Sequence, residues 1–142
     1  MKWPLIAFML VTSGCAQMSE PQENLPAIGQ TLHCTSATGA VIIAQIGSVD
    51  RVSTGDIVHV SLWADTPDSM TVSHAPFSLA ALEVCAEVPV RETRVTTADF
   101  QNGYNTWRTA SEAHEAGVWS ISPADAYEGI VAVMANTDTA EN

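Results

Sequence analysis

Two runs rich in β-branched residues, 40–49 (AVIIAQIGSV) and 57–65 (IVHVSLWAD), stand on either side of the turn sequence STGD at 53–56, and this pattern narrows the fold more than any other. Val, Ile and aromatic residues suit a pleated, half-buried surface, whereas Ser, Thr, Gly and Asp supply the reversal. A shorter run, TLHCTS at 31–36, precedes the first of these across the turn ATG, so a hairpin is expected there as well. In the third run Val58, Val60 and Leu62 alternate with His59, Ser61 and Trp63. Strand geometry therefore places His59 and Trp63 on one face and the apolar trio on the other.

Farther along, FSLAALEVCAEVPV at 77–90 supports two readings. One is a helix capped by Ser78 with Leu79, Leu82 and Cys85 on a stripe; the other, slightly preferred, is a strand through Leu82, Val84, Ala86 and Val88. Pro89 stops either. The runs GYNTWRTAS and GVWSI read as two strands joined by the acidic turn EAHEA, with Trp107 and Trp119 packed in the core. SPADAYEGIVAVMA at 122–135 is the clearest helical signal, with Ser122 as N-cap, Pro123 at the first helical position and Asp125 in the first turn. Ala126, Ile130, Val133 and Met134 form its expected apolar stripe. The fold class that follows is α+β, mainly an antiparallel β-sheet with one C-terminal helix on a face.

The chain begins with Met1, Lys2, Trp3 and Pro4, then an apolar run from Leu5 to Val11, then small residues, which is the order of a secretory signal. The run is too short to span a bilayer, which takes about twenty apolar residues. Residues Thr12, Ser13, Gly14 and Cys15 resemble the lipobox of bacterial lipoproteins, with Thr12 where that family usually has Leu. The resemblance is confined to the signal. It implies cleavage before Cys15, diacylglycerol attachment to it and, with no Asp at position 16, passage to the outer membrane facing the periplasm. Ordinary secretory cleavage after Ala16, giving a soluble periplasmic or secreted domain, is the competing reading.

Lipidation of Cys15 also resolves an odd count, because it leaves Cys34 and Cys85 as the only pair available in an oxidising compartment. Two buried free thiols are the alternative. The resulting organisation is a signal at 1–14, a lipidated N-terminus and tether at 15–29 containing AQMSEPQENLPAIG, one disulfide-stapled globular domain at 30–136, and a disordered tail at 137–142.

After the signal, Arg51, Arg91, Arg94 and Arg108 face all sixteen acidic residues, a balance of −12 with no lysine. Such a field disfavours nucleic acid and anionic lipid surfaces, and favours a basic protein or a cation. Solubility alone, in a salty habitat, is the plainer reading of the same charge. No G-x-S-x-G, phosphate-binding glycine loop or C-x-x-C is present, and paired acids such as Glu112 and Glu115 are expected on any solvated face of so acidic a chain. Met70 and His74 offer a thioether and an imidazole suited to copper, joined by His33 and His59 only if the fold gathers them. Tyr104 and Arg108, two residue types enriched in interface hot spots, form the candidate binding surface on one strand face with Thr106.

The expectation is thus a non-enzymatic cell-envelope lipoprotein, membrane-attached through Cys15, that acts as a binding or accessory module for a basic envelope protein without a cofactor. The alternatives are a periplasmic metal or small-ligand carrier using Met70 and His74, and an enzyme whose site is too dispersed to recognise in sequence.

Overall fold

The computed structural model describes residues 25–94 and 97–138; the proposed signal, the lipobox with Cys15, the first part of the tether and the last four residues lie outside them. Five strands, β1 (Thr31–Thr35), β2 (Val41–Val52), β3 (Gly55–Ala64), β4 (Thr71–Ser78) and β5 (Ala86–Val88), form one antiparallel sheet in the order β4-β3-β2-β1-β5. Helices α1 (Leu79–Leu82), α2 (Thr97–Glu112) and α3 (Pro123–Asp138) complete an α+β domain. None is long and apolar enough to cross a membrane. The Cys34–Cys85 disulfide joins β1 to the turn before β5. The end of the expected tether is already docked, as Gly29 N–H donates to the Ile46 carbonyl at 2.7 Å.

The alternating pattern of β3 sorts its residues as expected, but both of its faces are covered. Val58, Val60 and Leu62 join Ile42, Ala44, Ile46, Phe77 and residues of α1 and α3 in the apolar core. On the opposite face His59, Ser61 and Trp63 are equally inaccessible. Residues 77–90 realise parts of both earlier readings. Ser78 accepts from the Ala81 N–H and caps the single turn α1, after which the chain extends into β5. Ser122 caps α3 through the Asp125 N–H at 3.2 Å. The buried residues of α3, Pro123, Ala124, Ala126 and Tyr127, lie in its first turns, and Val131 packs partly buried against the same core. Val133 and Met134, expected on the buried stripe, are 67% and 50% exposed. The helix also continues through Thr137 and Asp138, two residues into the expected tail.

The expected second hairpin is absent: GYNTWRTAS lies within α2, and GVWSI contributes only an isolated bridge between Trp119 and Phe77 at the edge of β4. Tyr, Thr and Trp favour strands intrinsically, but Phe100, Tyr104, Trp107 and Ser111 also recur at three- and four-residue spacing, and packing of that stripe on the sheet decides the outcome. Trp107 is half-buried and Trp119 is 38% exposed, so neither is a core residue. The acidic segment EAHEA is a helix C-cap, not a hairpin turn. His114 takes a left-handed φ of 59°, its N–H reaches the Ser111 carbonyl, and the Glu115 N–H reaches that of Ala110 at 2.8 Å. This is a Schellman closure, a position that favours glycine. His114→Gly is expected to raise stability by about 0.5–1 kcal/mol in urea denaturation, because glycine removes the Cβ penalty of the left-handed conformation.

Candidate functional site

The most unusual chemistry lies between the sheet and α2, and a single glycine prepares it. In β2, Ile46 pairs with Val60 but Ser48, not Gly47, pairs with His59, so Gly47 is the extra residue of a β-bulge. Before the bulge the even-numbered residues Ile42, Ala44 and Ile46 face the apolar core; after it Val49 takes the core side opposite Val58, and Asp50 turns to the face of His59. Gly47 also makes room for α2. A Cβ there would lie 2.3 Å from the ring of Phe100, and one at Gly103 would lie 2.6 Å from the Cβ of His74. Two glycines therefore let helix and sheet approach closely enough for their side chains to bond.

Four side chains from four elements then form one chain of hydrogen bonds. His74 Nε2 lies 2.9 Å from His59 Nδ1, and His59 Nε2 lies 3.2 Å from Asp50 Oδ2. The Tyr104 hydroxyl donates to both Asp50 oxygens at 3.0 Å. With both imidazoles neutral, both ring nitrogens of His59 are satisfied when Nε2–H donates to Asp50 and Nδ1 accepts from His74 Nε2–H. Aromatic rings enclose the pair: Tyr104 and Trp107 meet His59 edge-on at 4.9 and 4.6 Å, and Phe100 meets His74 at 5.4 Å. Burial pushes both histidines below the ordinary imidazole range, His74 to about 4, and the proximity of His59 adds to the effect on His74. For His59 the carboxylate of Asp50 acts in the opposite sense but is outweighed. Burial raises Tyr104 above its usual value, as does its bond to Asp50, so the phenol stays a donor at neutral pH.

An Asp–His pair invites comparison with a general base, which must reach the proton it removes. His59 is wholly inaccessible, and its second nitrogen meets another imidazole where a hydroxyl or thiol nucleophile would be needed. Asp50, bonded to His59 on one side and Tyr104 on the other, has 28% of its side chain exposed.

Tyr104 and Arg108, expected on one strand face, do share a surface, but as successive turns of α2. Together with Trp107 they border a concavity over Asp50. Thr106 is exposed and bonds back to the Asn102 carbonyl, away from that surface. Met70 and His74 part company: the Met70 carbonyl is tied to α3 by the Tyr127 hydroxyl at 2.7 Å, whereas His74 is turned to His59 under α2. His33 stands on β1 opposite Ile43, near Trp63 and Pro89, and does not join them. Among the described residues no three His, Cys, Asp or Glu side chains are arranged to hold a metal ion. Asp50, Gly103 and Trp107 escaped the sequence reading of the site. The available signals were the lone glycine within the run AVIIAQIGSV, which marks a bulge, and the three- and four-residue spacing of the aromatics. No family model, curated protein or solved structure matches this chain.

Proposed function

We propose that this chain is a non-enzymatic, lipid-anchored envelope protein that binds a basic protein partner through the outer face of α2. The observation that carries the reading is the grouping of Tyr104, Trp107 and Arg108 around the concavity over Asp50, an aromatic and charged surface of the kind that concentrates binding energy. Its side chains are held in advance: Tyr104 by Asp50, and Trp107 by its indole N–H on the Gly117 carbonyl at 3.0 Å. Pre-organised groups lose less freedom on association. The −12 balance of the processed chain favours a basic partner and speeds the encounter. The disulfide supports the address, since bonding of Cys34 to Cys85 leaves Cys15 as the remaining cysteine, free to carry the lipid.

The test uses the full chain made in a bacterial host. Intact mass should begin at Cys15 with added acyl groups. Cytochrome c, as a basic probe, should bind at low salt and be released at about 0.5 M salt, where screening shrinks to a few ångströms. Succinylated cytochrome c should not bind, and Tyr104→Ala should weaken binding about thirtyfold, as loss of a hot-spot aromatic does. Binding indifferent to succinylation would remove the basic-partner reading, and a mass beginning after Ala16 would remove the anchor.

A further inference from the structure

We infer that the concavity on α2 is a receptor for one lysine side chain of the basic partner, with Asp50 as its acceptor. This rests on the binding-module reading above and names the contact on which that binding turns. The hollow is about 290 Å³, at the small end of ligand sites and suited to a single side chain rather than a large ligand. Its lining includes two acids, Asp50 and Glu112, and two arginines, Arg51 and Arg108, with Tyr104 and Trp107 between them.

Charge decides what such a hollow accepts. Two arginines line it, and each has an acidic neighbour that offsets its charge. Arg108, whose guanidinium also reaches the Tyr104 hydroxyl, is paired with Glu112 at 3.4 Å on the exposed rim. Arg51, next to Asp50 on β2, stands opposite Asp56 in the β2–β3 register, an acid at cross-strand distance that offsets it. His59 behind Asp50 is held neutral by burial. What remains is one partly exposed carboxylate beside two aromatic rings, with the half-exposed Val52 on the same strand face. A carboxylate beside the faces or edges of Tyr and Trp suits a cation, and Val52 with the rings suits an aliphatic stem.

The hydrogen bonds already made at Asp50 distinguish the two basic side chains. Oδ2 accepts from both Tyr104 and His59, while Oδ1 accepts from Tyr104 alone. Most of the free accepting capacity is therefore on one oxygen. An arginine fork needs two oxygens side by side, whereas an ammonium is a compact charge that one oxygen can receive. Lysine is favoured.

Titration of the isotope-labelled full chain, followed by the Trp107 indole N–H and the amides around Asp50 and Tyr104, tests this. The probes are Nα-acetyl-lysine methylamide, its arginine counterpart and the uncharged norleucine counterpart. The lysine probe should shift these signals, the arginine probe should bind several-fold more weakly, and norleucine should have no effect. Asp50→Asn should abolish the response. Arg108→Gln, which removes the guanidinium beside the Tyr104 hydroxyl and releases the Glu112 carboxylate, should strengthen it a few-fold; this variant retains the test if Asp50→Asn does not fold. Equal shifts with norleucine would reduce the hollow to an apolar patch. Lysine shifts that spread over the acidic surface and survive Asp50→Asn would reduce it to the general field, and an absence of shifts would also overturn the inference. If Asp50→Asn still binds cytochrome c while the lysine response is lost, the hollow is not the contact and the binding module stands. A lysine response without cytochrome c binding would leave the receptor and remove the protein partner.

Discussion

Replacing Cys34 and Cys85 together with alanine is expected to cost about 4 kcal/mol of stability, the value the chain-entropy account assigns to a closed loop of this length. The bridge spans 51 positions and encloses β2, β3, β4 and α1, so without it the unfolded chain regains the freedom of half the domain. The native state loses contact as well: Cys34 is fully buried within the apolar cluster, and Cys85 packs against it. The bond also supports a weak element, since β5 has three residues and pairs only with β1. Urea unfolding with and without reductant gives the measurement. A loss below about 1 kcal/mol would mean that the unfolded chain is already compact in this region.

Acid should also weaken the fold. His74 is held neutral by burial, with a folded value of about 4 against an ordinary 6.5. Above pH 6.5 the imidazole is neutral in both folded and unfolded chains, and the full stability is present. As pH falls from 6.5 towards 4 the unfolded chain binds a proton that the folded chain refuses, so stability declines by less than about 1.4 kcal/mol per pH unit, solvent reaching the half-buried ring and reducing the effect. Below 4 this contribution is flat. His59, lowered for the same reason, acts with the same sign. Carboxylates titrate over part of the same window, so the decisive comparison is with His74→Gln, in which the decline between pH 6.5 and 4.5 should be markedly shallower. Identical pH profiles for the two proteins would show that the imidazole is readily protonated in the fold. Because His59 and His74 lie directly beneath Tyr104 and Trp107, acid should loosen α2 before the face packed on α3, where the buried residues are apolar.

Much of the architecture was legible because its causes are local. The hairpin of β2 and β3 announces itself by β-branched runs around STGD, and α3 by Ser122, Pro123 and Asp125, residues that act on their own backbone within three or four positions. The disulfide followed from counting cysteines once Cys15 had been assigned elsewhere. The helix α2 was not legible in this way. Its Tyr, Thr and Trp residues lean towards strand, and the preference is overturned by docking Phe100, Tyr104 and Trp107 against the histidine face of the sheet, a gain that no window of the sequence contains.

The site shows the same division more sharply. Sequence alone determined that the chain is acidic, that its β-branched runs and capped helix make an α+β domain, and that His59 faces away from Val58, Val60 and Leu62, because composition and strand periodicity are properties of neighbours along the chain. Only the tertiary structure decided that Asp50, His59, His74 and Tyr104 form one hydrogen-bonded series. These residues come from four elements. They meet because a one-residue bulge at Gly47 reverses the facing of Asp50, and because Gly103 lacks a Cβ where α2 presses on β4. A polar residue turned away from the core reads as solvated until something covers it. The helix that covers His59 lies some forty residues farther along, and close packing, together with the need to satisfy each buried polar atom, sets where it rests.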